Sequence, residues 1–318
     1  MSKKNRCKSR FGVICLFLVF ILLITLNSTE PMITSLNQPV VDSESLVDSV
    51  KITVLIDNYP NGTLDAPWGL SIFIETPDLA ILFDAGSDPN SLRKNTEKLG
   101  INLSQLDLVV ISHGHRDHVH GFSYIPEQSP NITVFVPKYM PSVPKELITS
   151  LNVTIVEVDS TYAITDDIVI IGGFYDPVNE QSLAINVKGL GLIIFVGCSH
   201  PGVDNIVQKA IDDLGIRLYA LIGGFHLIGE GEGDIAILVD ELLATNLIKI
   251  CPTHCSGDII RNYLQTNYPS HYEEIKVGYS TIFQSNEGTP SFEFSYVIGG
   301  LISLFVIIRK KKMYNETR

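Results

Sequence analysis

The sequence predicts an α/β domain between two hydrophobic ends. Three observations carry that reading. Short apolar, β-branched runs recur from Lys51 to Val196, helical patterns interleave and dominate the later part, and a dense group of histidines stands directly after one apolar run. Many strands with covering helices fit a four-layer αββα sandwich. The 318 residues can bury a large core. No repeat at a regular period divides them, and the organisation between the ends is that of one domain.

The N-terminal "MSKKNRCKSR" is basic, and the next 16 residues, "FGVICLFLVFILLITL", are apolar. Residues 1–27 therefore read as a signal peptide or signal anchor. The run falls short of the roughly 20 residues that span a bilayer comfortably, and "NSTEPM" is a poor cleavage sequence, so cleavage stays open. Residues 28–50 are polar without a period and read as a linker. Strands are expected in "KITVLID", "LSIFIET", "LAILFD", "LDLVVIS", "ITVFVP", "VTIVEV", "DDIVIIGG", "SLAINV" and "LGLIIFV". Helices are expected in "VDNIVQKAIDDLG", "DIAILVDELLATN" and "GDIIRNYLQTN". Gly202 and Gly257 precede two of them, which suits tight strand-to-helix turns. The domain spans 51–288. Residues 292–308, "FEFSYVIGGLISLFVII", are expected to form a transmembrane helix, and "RKKK" opens a basic cytoplasmic tail at 309–318.

Both basic flanks place the domain outside the cytoplasm, tethered to the cell membrane by the C-terminal helix and, if it is retained, by the N-terminal anchor. Asn61, Asn102, Asn131 and Asn152 each begin an N-x-S/T sequon, which agrees with that side. The formal net charge of −12 excludes a nucleic-acid backbone as partner. Cysteine usage is not that of a disulfide scaffold. Cys7 and Cys15 fall in the targeting segment, Cys15 without a lipidation context, while Cys198, Cys251 and Cys255 flank histidines.

The stretch "ISHGHRDHVHG" places His113, His115, Asp117 and His118 just past a buried strand, where a rigid scaffold presents side chains. His113 and His115 are two apart and point to one side of an extended segment. Imidazole nitrogen and carboxylate oxygen suit zinc, iron and copper. His120 reads as solvent-facing or supporting. Three later histidines also follow short apolar runs: His200 in "FVGCSHPG", His226 in "IGGFHL" and His254 in "CPTHCSG". Each is a candidate ligand, and each has the alternative of a hydrogen-bonded structural histidine. His271, in a polar segment, is expected to be solvated.

"SHGHRDHVHG" resembles the H-x-H-x-D-H signature of the metallo-β-lactamase fold superfamily, and "ILFDAG" resembles its earlier strand-and-aspartate motif at Asp84. "GCSHPGVDN", "IGGFHL" and "CPTHCSG" resemble a subgroup of metal-dependent hydrolases. That subgroup contains enzymes labelled dihydropterin-methyl ribofuranosylaminobenzene phosphate synthase. The resemblance covers roughly residues 51 to 285 and implies the assignment of strands to two sheets. It also implies two divalent ions, zinc first, with iron or manganese as options. His113, His115 and His200 would hold one ion, and Asp117, His118 and His254 the other. Asp117 would also handle the proton of the nucleophile, His226 would touch substrate, and Asp84 would orient a ligand imidazole. Cys198 stands where the superfamily has a bridging aspartate, and is either a soft thiolate ligand or a packed thiol. Trp68 stands near a usual histidine of the subgroup.

The function implied is a membrane-tethered, extracytoplasmic hydrolase using a metal-activated hydroxide. Its small-molecule substrate is a phosphoester or another polar ester or lactam. Pterin substrates, being intracellular, fit poorly with an exported domain. The alternatives are an iron-dependent, sulfur-handling redox enzyme on the same fold and a non-catalytic surface binding protein. The oligomeric state is open.

Overall fold

The computed structural model describes residues 46–285 except residue 177. The signal or anchor segment (1–27), most of the linker, the transmembrane segment (292–308) and the tail (309–318) lie outside the described residues. Among the described residues, no helix is long and apolar enough to cross a membrane.

The first sheet has seven strands. β1 (Ser49–Ile56) begins within the last residues of the expected linker, and Val47 already bridges to Val187. β2 (Ser71–Glu75) pairs antiparallel with β1, and β3 (Ala80–Phe83) antiparallel with β2. β4 (Leu108–Val110), β5 (Thr133–Pro137) and β6 (Thr154–Val158) follow in parallel with β3. The second sheet runs from β7 (Tyr162–Ala163) through β8 (Ile168–Phe174), β9 (Glu180–Val187), β10 (Gly191–Val196) and β11 (Leu218–Gly224) to β12 (Lys249–Thr253). β10, β11 and β12 are parallel. The chain then returns to the first sheet, where β13 (Ser280–Gln284) pairs antiparallel with β1.

The sheets pack face to face. Val50, Ile52 and Val54 of β1 share an apolar cluster with Leu183 and Ile185 of β9 and with Ile193 and Phe195 of β10. Leu192, Ile194 and Val196 point the other way, into a second cluster under helices. All five of these β10 side chains are at most 1% exposed. Each such side chain contributes about 1.5–3 kcal/mol on burial. Strands covered on both faces read as continuous apolar runs rather than as alternations.

Helices close the outer faces. Against the first sheet lie α1 (Pro89–Leu99), the short α2 (Arg116–Val119) and α3 (Ile125–Gln128), and α4 (Ser142–Thr149). Against the second lie α5 (Val203–Leu214), α6 (Glu232–Ala244) and α7 (Asp258–Asn267), within two residues of the expected helices. Gly202 (φ 96°) and Gly257 (φ 80°) make the turns into α5 and α7. α1 and α4 were not anticipated from apolar spacing. The buried side of α1 carries Ser91, Asn95 and Thr96 beside a single leucine, so no apolar stripe marks it. Its ends are marked instead: the Asp88 carboxylate accepts from the backbone N–H groups of Asn90 and Ser91, Pro89 follows, and Gly100 closes in the left-handed region.

The segment after α2 passes close against the loop that follows β3, where the Gly121 N–H donates to the Gly86 carbonyl. A Cβ at Gly121 would sit 1.9 Å from the carbonyl oxygen of Ala85. Gly121→Ala is therefore expected to cost about 2 kcal/mol by overpacking, lowering the melting temperature by roughly 4–8 °C. Equal melting curves for variant and wild type would refute this reading.

Candidate metal centre

The predicted residues meet where strands of both sheets end. Asp84 follows β3 directly, His113 lies three residues past β4, and Cys198 and His200 lie just past β10. His226 lies two residues past β11, and His254 follows β12 directly. Asp117 and His118 come from α2. Strand ends of this kind are held by the ladder on one side and open to a ligand on the other.

The local backbone is held in an unusual state. Seven described non-glycine residues have positive φ; three are asparagines, which tolerate it. The other four are Asp84 (58°), Ser199 (62°), His226 (55°) and His254 (50°). Each costs about 1–2 kcal/mol, a strain that clusters at sites rather than in frameworks.

Four imidazoles are oriented by the same device. His118 Nδ1 lies 2.6 Å from Asp84 Oδ2, and His200 Nδ1 lies 2.8 Å from Glu180 Oε2. His254 Nδ1 lies 2.9 Å from Asn58 Oδ1, whose amide is turned by donating to the His254 carbonyl. His113 Nδ1 lies 2.9 Å from Ser112 Oγ, and that hydroxyl donates to Asp84 at 2.7 Å. Carboxylates and amide oxygens only accept, and Ser112 has spent its proton on Asp84, so each Nδ1 is the donor. In the neutral ring each Nε2 is then left with its lone pair directed into the centre.

Nε2, Sγ and carboxylate atoms converge in three overlapping groups, each with all atoms within 4.8 Å. The first is His113, Cys198 and His200; the second is Asp117, His118, Cys198 and His254; the third is Cys198, His226 and Cys255. The expected second set thus comes together with Cys198 added: His118 Nε2 is 3.2 Å from Cys198 Sγ, and His254 Nε2 is 3.2 Å from Asp117 Oδ2. Of the expected first set, His113 and His200 converge with Cys198, and the exposed His115 packs its ring 4.6 Å from that of His113 and 4.7 Å from that of His200. His226 is exposed, with its ring 4.6 Å from that of His200. His120 joins none of these groups, and His271 is half-buried with Nδ1 3.0 Å from the Ile248 carbonyl oxygen.

The electrostatics suit cation binding. Burial and the neighbouring histidines hold the His113 pKa well below its usual value, so the ring is neutral. Burial opposes the charge on His118, but the Asp84 carboxylate outweighs it and the pKa is pushed up to about 9. An incoming cation must displace that proton. Burial pushes Asp117 up, yet His254 and His118 outweigh it and hold the carboxyl below the usual range. Cys255 Sγ donates to the Cys198 carbonyl at 3.7 Å, and the closeness of the two thiols raises the Cys198 pKa and lowers that of Cys255. The donor set fits a divalent ion. The buried Nε2 atoms of His113 and His254 have no hydrogen-bond partner among the described residues, an expense that a ligated ion removes.

Besides Ser112, three supporting residues were not anticipated. Glu180, 1% exposed, accepts from the backbone N–H groups of Cys198, Ser199 and His200 as well as from the His200 ring. Asp57 accepts from the His254 N–H and the Thr253 hydroxyl, and burial raises its pKa. Asn58 orients His254. A sequence signal existed for Glu180: "EQS" opens a strand buried at all eight positions, where a charge needs partners.

Comparisons with known proteins bear on the sequence and the fold. Residues 69–207 match the sequence model of the metallo-beta-lactamase superfamily. The chain is 29% identical over 288 residues to 7,8-dihydropterin-6-methyl-4-(beta-D-ribofuranosyl)-aminobenzene-5'-phosphate synthase of Methanocaldococcus jannaschii, covering 73% of this chain and 96% of that protein. Among solved structures, a metal-dependent hydrolase of the beta-lactamase superfamily, Tm1679, aligns with a TM-score of 0.64 at 22% identity, over 74% of this chain and 100% of the other. The Bacillus subtilis metallo-beta-lactamase fold protein YhfI aligns at 0.54 with 15% identity, over the same 74% and its full length. The solved structures share the fold of two stacked sheets, and the stretch that matches the metallo-beta-lactamase superfamily, residues 69–207, holds His113, His115, Asp117, His118, Cys198 and His200 of the site.

Proposed function

We propose that this domain is a hydrolase that works with two divalent ions, zinc in the first place. The observation that carries the reading is the set of four histidines whose Nδ1 atoms are tied to protein oxygens while their Nε2 atoms converge with Cys198 and Asp117. His113, His200 and Cys198 would hold one ion with His115 at the rim, and Asp117, His118, His254 and Cys198 the other. Divalent ions there supply Lewis acidity, bringing the pKa of a water to about 7 and polarising the oxygen under attack. Asp117, ionised at neutral pH, accepts a proton from the attacking water and returns it to the leaving group. Trp68 Nε1 donates to Asp117 Oδ2 at 2.9 Å, which leaves Oδ1 for that proton. Exposed His226 stands at the rim, where it meets the substrate's charge. The substrate class is a small phosphoester or another polar ester or lactam.

The domain is placed outside the cytoplasm on a membrane tether. The matching basic flanks support this, and Asn61, Asn102, Asn131 and Asn152 are all exposed. A second reading, an iron-dependent redox enzyme, is favoured by the adjacent thiols of Cys198 and Cys255.

Elemental analysis of the purified full-length protein separates the two. Two zinc ions per chain with turnover of a phosphoester panel support the hydrolase; one iron per chain without turnover supports the other. His118→Ala is expected to lose at least one ion and all detectable hydrolysis. Full metal content in a folded His118→Ala protein would remove the assignment of the second ion.

A further inference from the structure

Trp68 stands between two different surroundings. Its ring packs 4.9 Å from that of His254, and its indole N–H is committed to Asp117. It is nevertheless 50% exposed. It lines a cavity of about 440 Å³ together with Tyr59, Ile228, Gly257 and Ile259. It also lines a second cavity of about 560 Å³ with Ser87, Asp88, Arg116 and Asp117. The second has no aliphatic wall, whereas the first carries Leu227, Ile228 and Ile259 alongside polar Asn58 and Asp258. The first gathers three of the exposed large apolar side chains of the domain: Trp68, Ile228 (58%) and Ile259 (44%).

The walls of the first cavity are fixed. The Arg261 guanidinium stacks 3.8 Å from the centre of the Tyr59 ring and holds it in place. The Leu227 N–H donates to the Cys255 carbonyl, anchoring the loop that carries Ile228. A Cβ at Gly257 would come 3.1 Å from Ile228 Cγ1, so the isoleucine rests against bare backbone. Apolar surface exposed in one place beside reactive groups is surface that a ligand covers. Only this cavity of the pair offers aromatic and aliphatic walls that reach to Asp117 and His254 through a shared residue.

We propose that the cavity is a subsite for an aryl or similarly flat apolar arm, and that the substrates are esters carrying such an arm beside the reacting group. The arm lies along Trp68, Tyr59, Ile228 and Ile259, and the reacting end lies at Asp117 and His254. The reacting end rests on the hydrolase reading above; the subsite for the arm does not.

The test needs no turnover. Trp68 is the only tryptophan of the chain, so intrinsic fluorescence reports this place directly. Phenylphosphonate and methylphosphonate carry the same head group and differ in the arm. Binding of each to the full-length protein is followed by Trp68 fluorescence and by calorimetry, as purified and after chelation. Phenylphosphonate is expected to bind at least about tenfold more tightly, the step that 1.4 kcal/mol of extra contact gives. In Ile228→Ser/Ile259→Ser, whose changed side chains are exposed, the two ligands should bind alike while methylphosphonate affinity stays as in wild type. Equal affinities in the wild type, absence of any binding, or an aryl preference that survives in the double variant would overturn the subsite. Aryl preference without turnover of any ester would keep the subsite and remove the hydrolase; turnover without aryl preference would do the reverse.

Discussion

Glu180→Ala is expected to melt roughly 10 °C below the wild type and to lose bound metal. The carboxylate is buried and accepts four hydrogen bonds at 2.8–2.9 Å, three from successive backbone N–H groups and one from His200 Nδ1. Removing it strands all four donors, at about 3–5 kcal/mol for a buried charged network, and a domain of this size shifts about 2–4 °C per kcal/mol. Glu180→Gln separates stability from chemistry. Its amide keeps part of the network but turns an N–H toward His200 Nδ1. The His200 proton then moves to Nε2, which can no longer ligate. That variant should stay folded and bind metal about 10–100-fold more weakly. The acid limb gives a further check. Burial raises the Glu180 pKa, but His200 and the backbone donors outweigh it and hold the carboxyl below 4.5. Its stabilisation is therefore present above pH 4.5 and is lost as the pH falls through the lower folded value. The melting gap between wild type and Glu180→Gln should narrow there. A gap independent of pH, with metal content unchanged in both variants, would mean that Glu180 is framework only.

The second large effect concerns Cys198, whose Sγ belongs to all three converging groups. If it joins both ions, Cys198→Ser alone understates its role, because Cys255 lies within the same 4.8 Å group and can substitute. Cys198→Ser/Cys255→Ser is expected to drop metal affinity beyond the single variant. Cys198→Asp should retain two ions, since a carboxylate bridges hard cations readily. Cys251 is the control: it is buried in the apolar cluster between the sheets and belongs to none of the three ligand groups. Cys251→Ser should cost some stability and no metal. A packed, non-ligating Cys198 gives the opposite pattern. Serine then changes only the melting temperature, and aspartate costs several kcal/mol as an unpaired buried charge. The measurement is metal per chain after exhaustive dialysis, with melting curves alongside.

The strands and the histidine group were legible because their signals are local. β10 is apolar at nearly every position, and "HGHRDH" is contiguous. The αββα layering expected from strands and covering helices is the observed one, with two sheets sharing one apolar interior. α1 escaped because its buried face is polar; Asn95 Nδ2 donates to the Leu55 and Asp65 carbonyls instead of packing as a hydrophobe. β13 escaped because it is a half-exposed edge, with Thr281 and Phe283 inward and three exposed positions between and around them. Asp57 and Asn58 act on His254 across 197 and 196 positions and Glu180 on His200 across 20, and no spacing rule announces such pairs. Trp68 was visible as a departure from the subgroup, but its bond to Asp117 across 49 positions was not.

Those separations also set an order in time. Asp57 meets His254 across 197 positions, so the centre depends on both the first strand and one of the last. A chain made only as far as His200 would hold His113, His118 and Cys198, and would lack His254 entirely. Closing so wide a loop is among the slowest steps of folding. The complete centre is thus a late product of assembly rather than a nucleus for it. The rate at which full metal content appears during refolding becomes a clock for the joining of the two sheets.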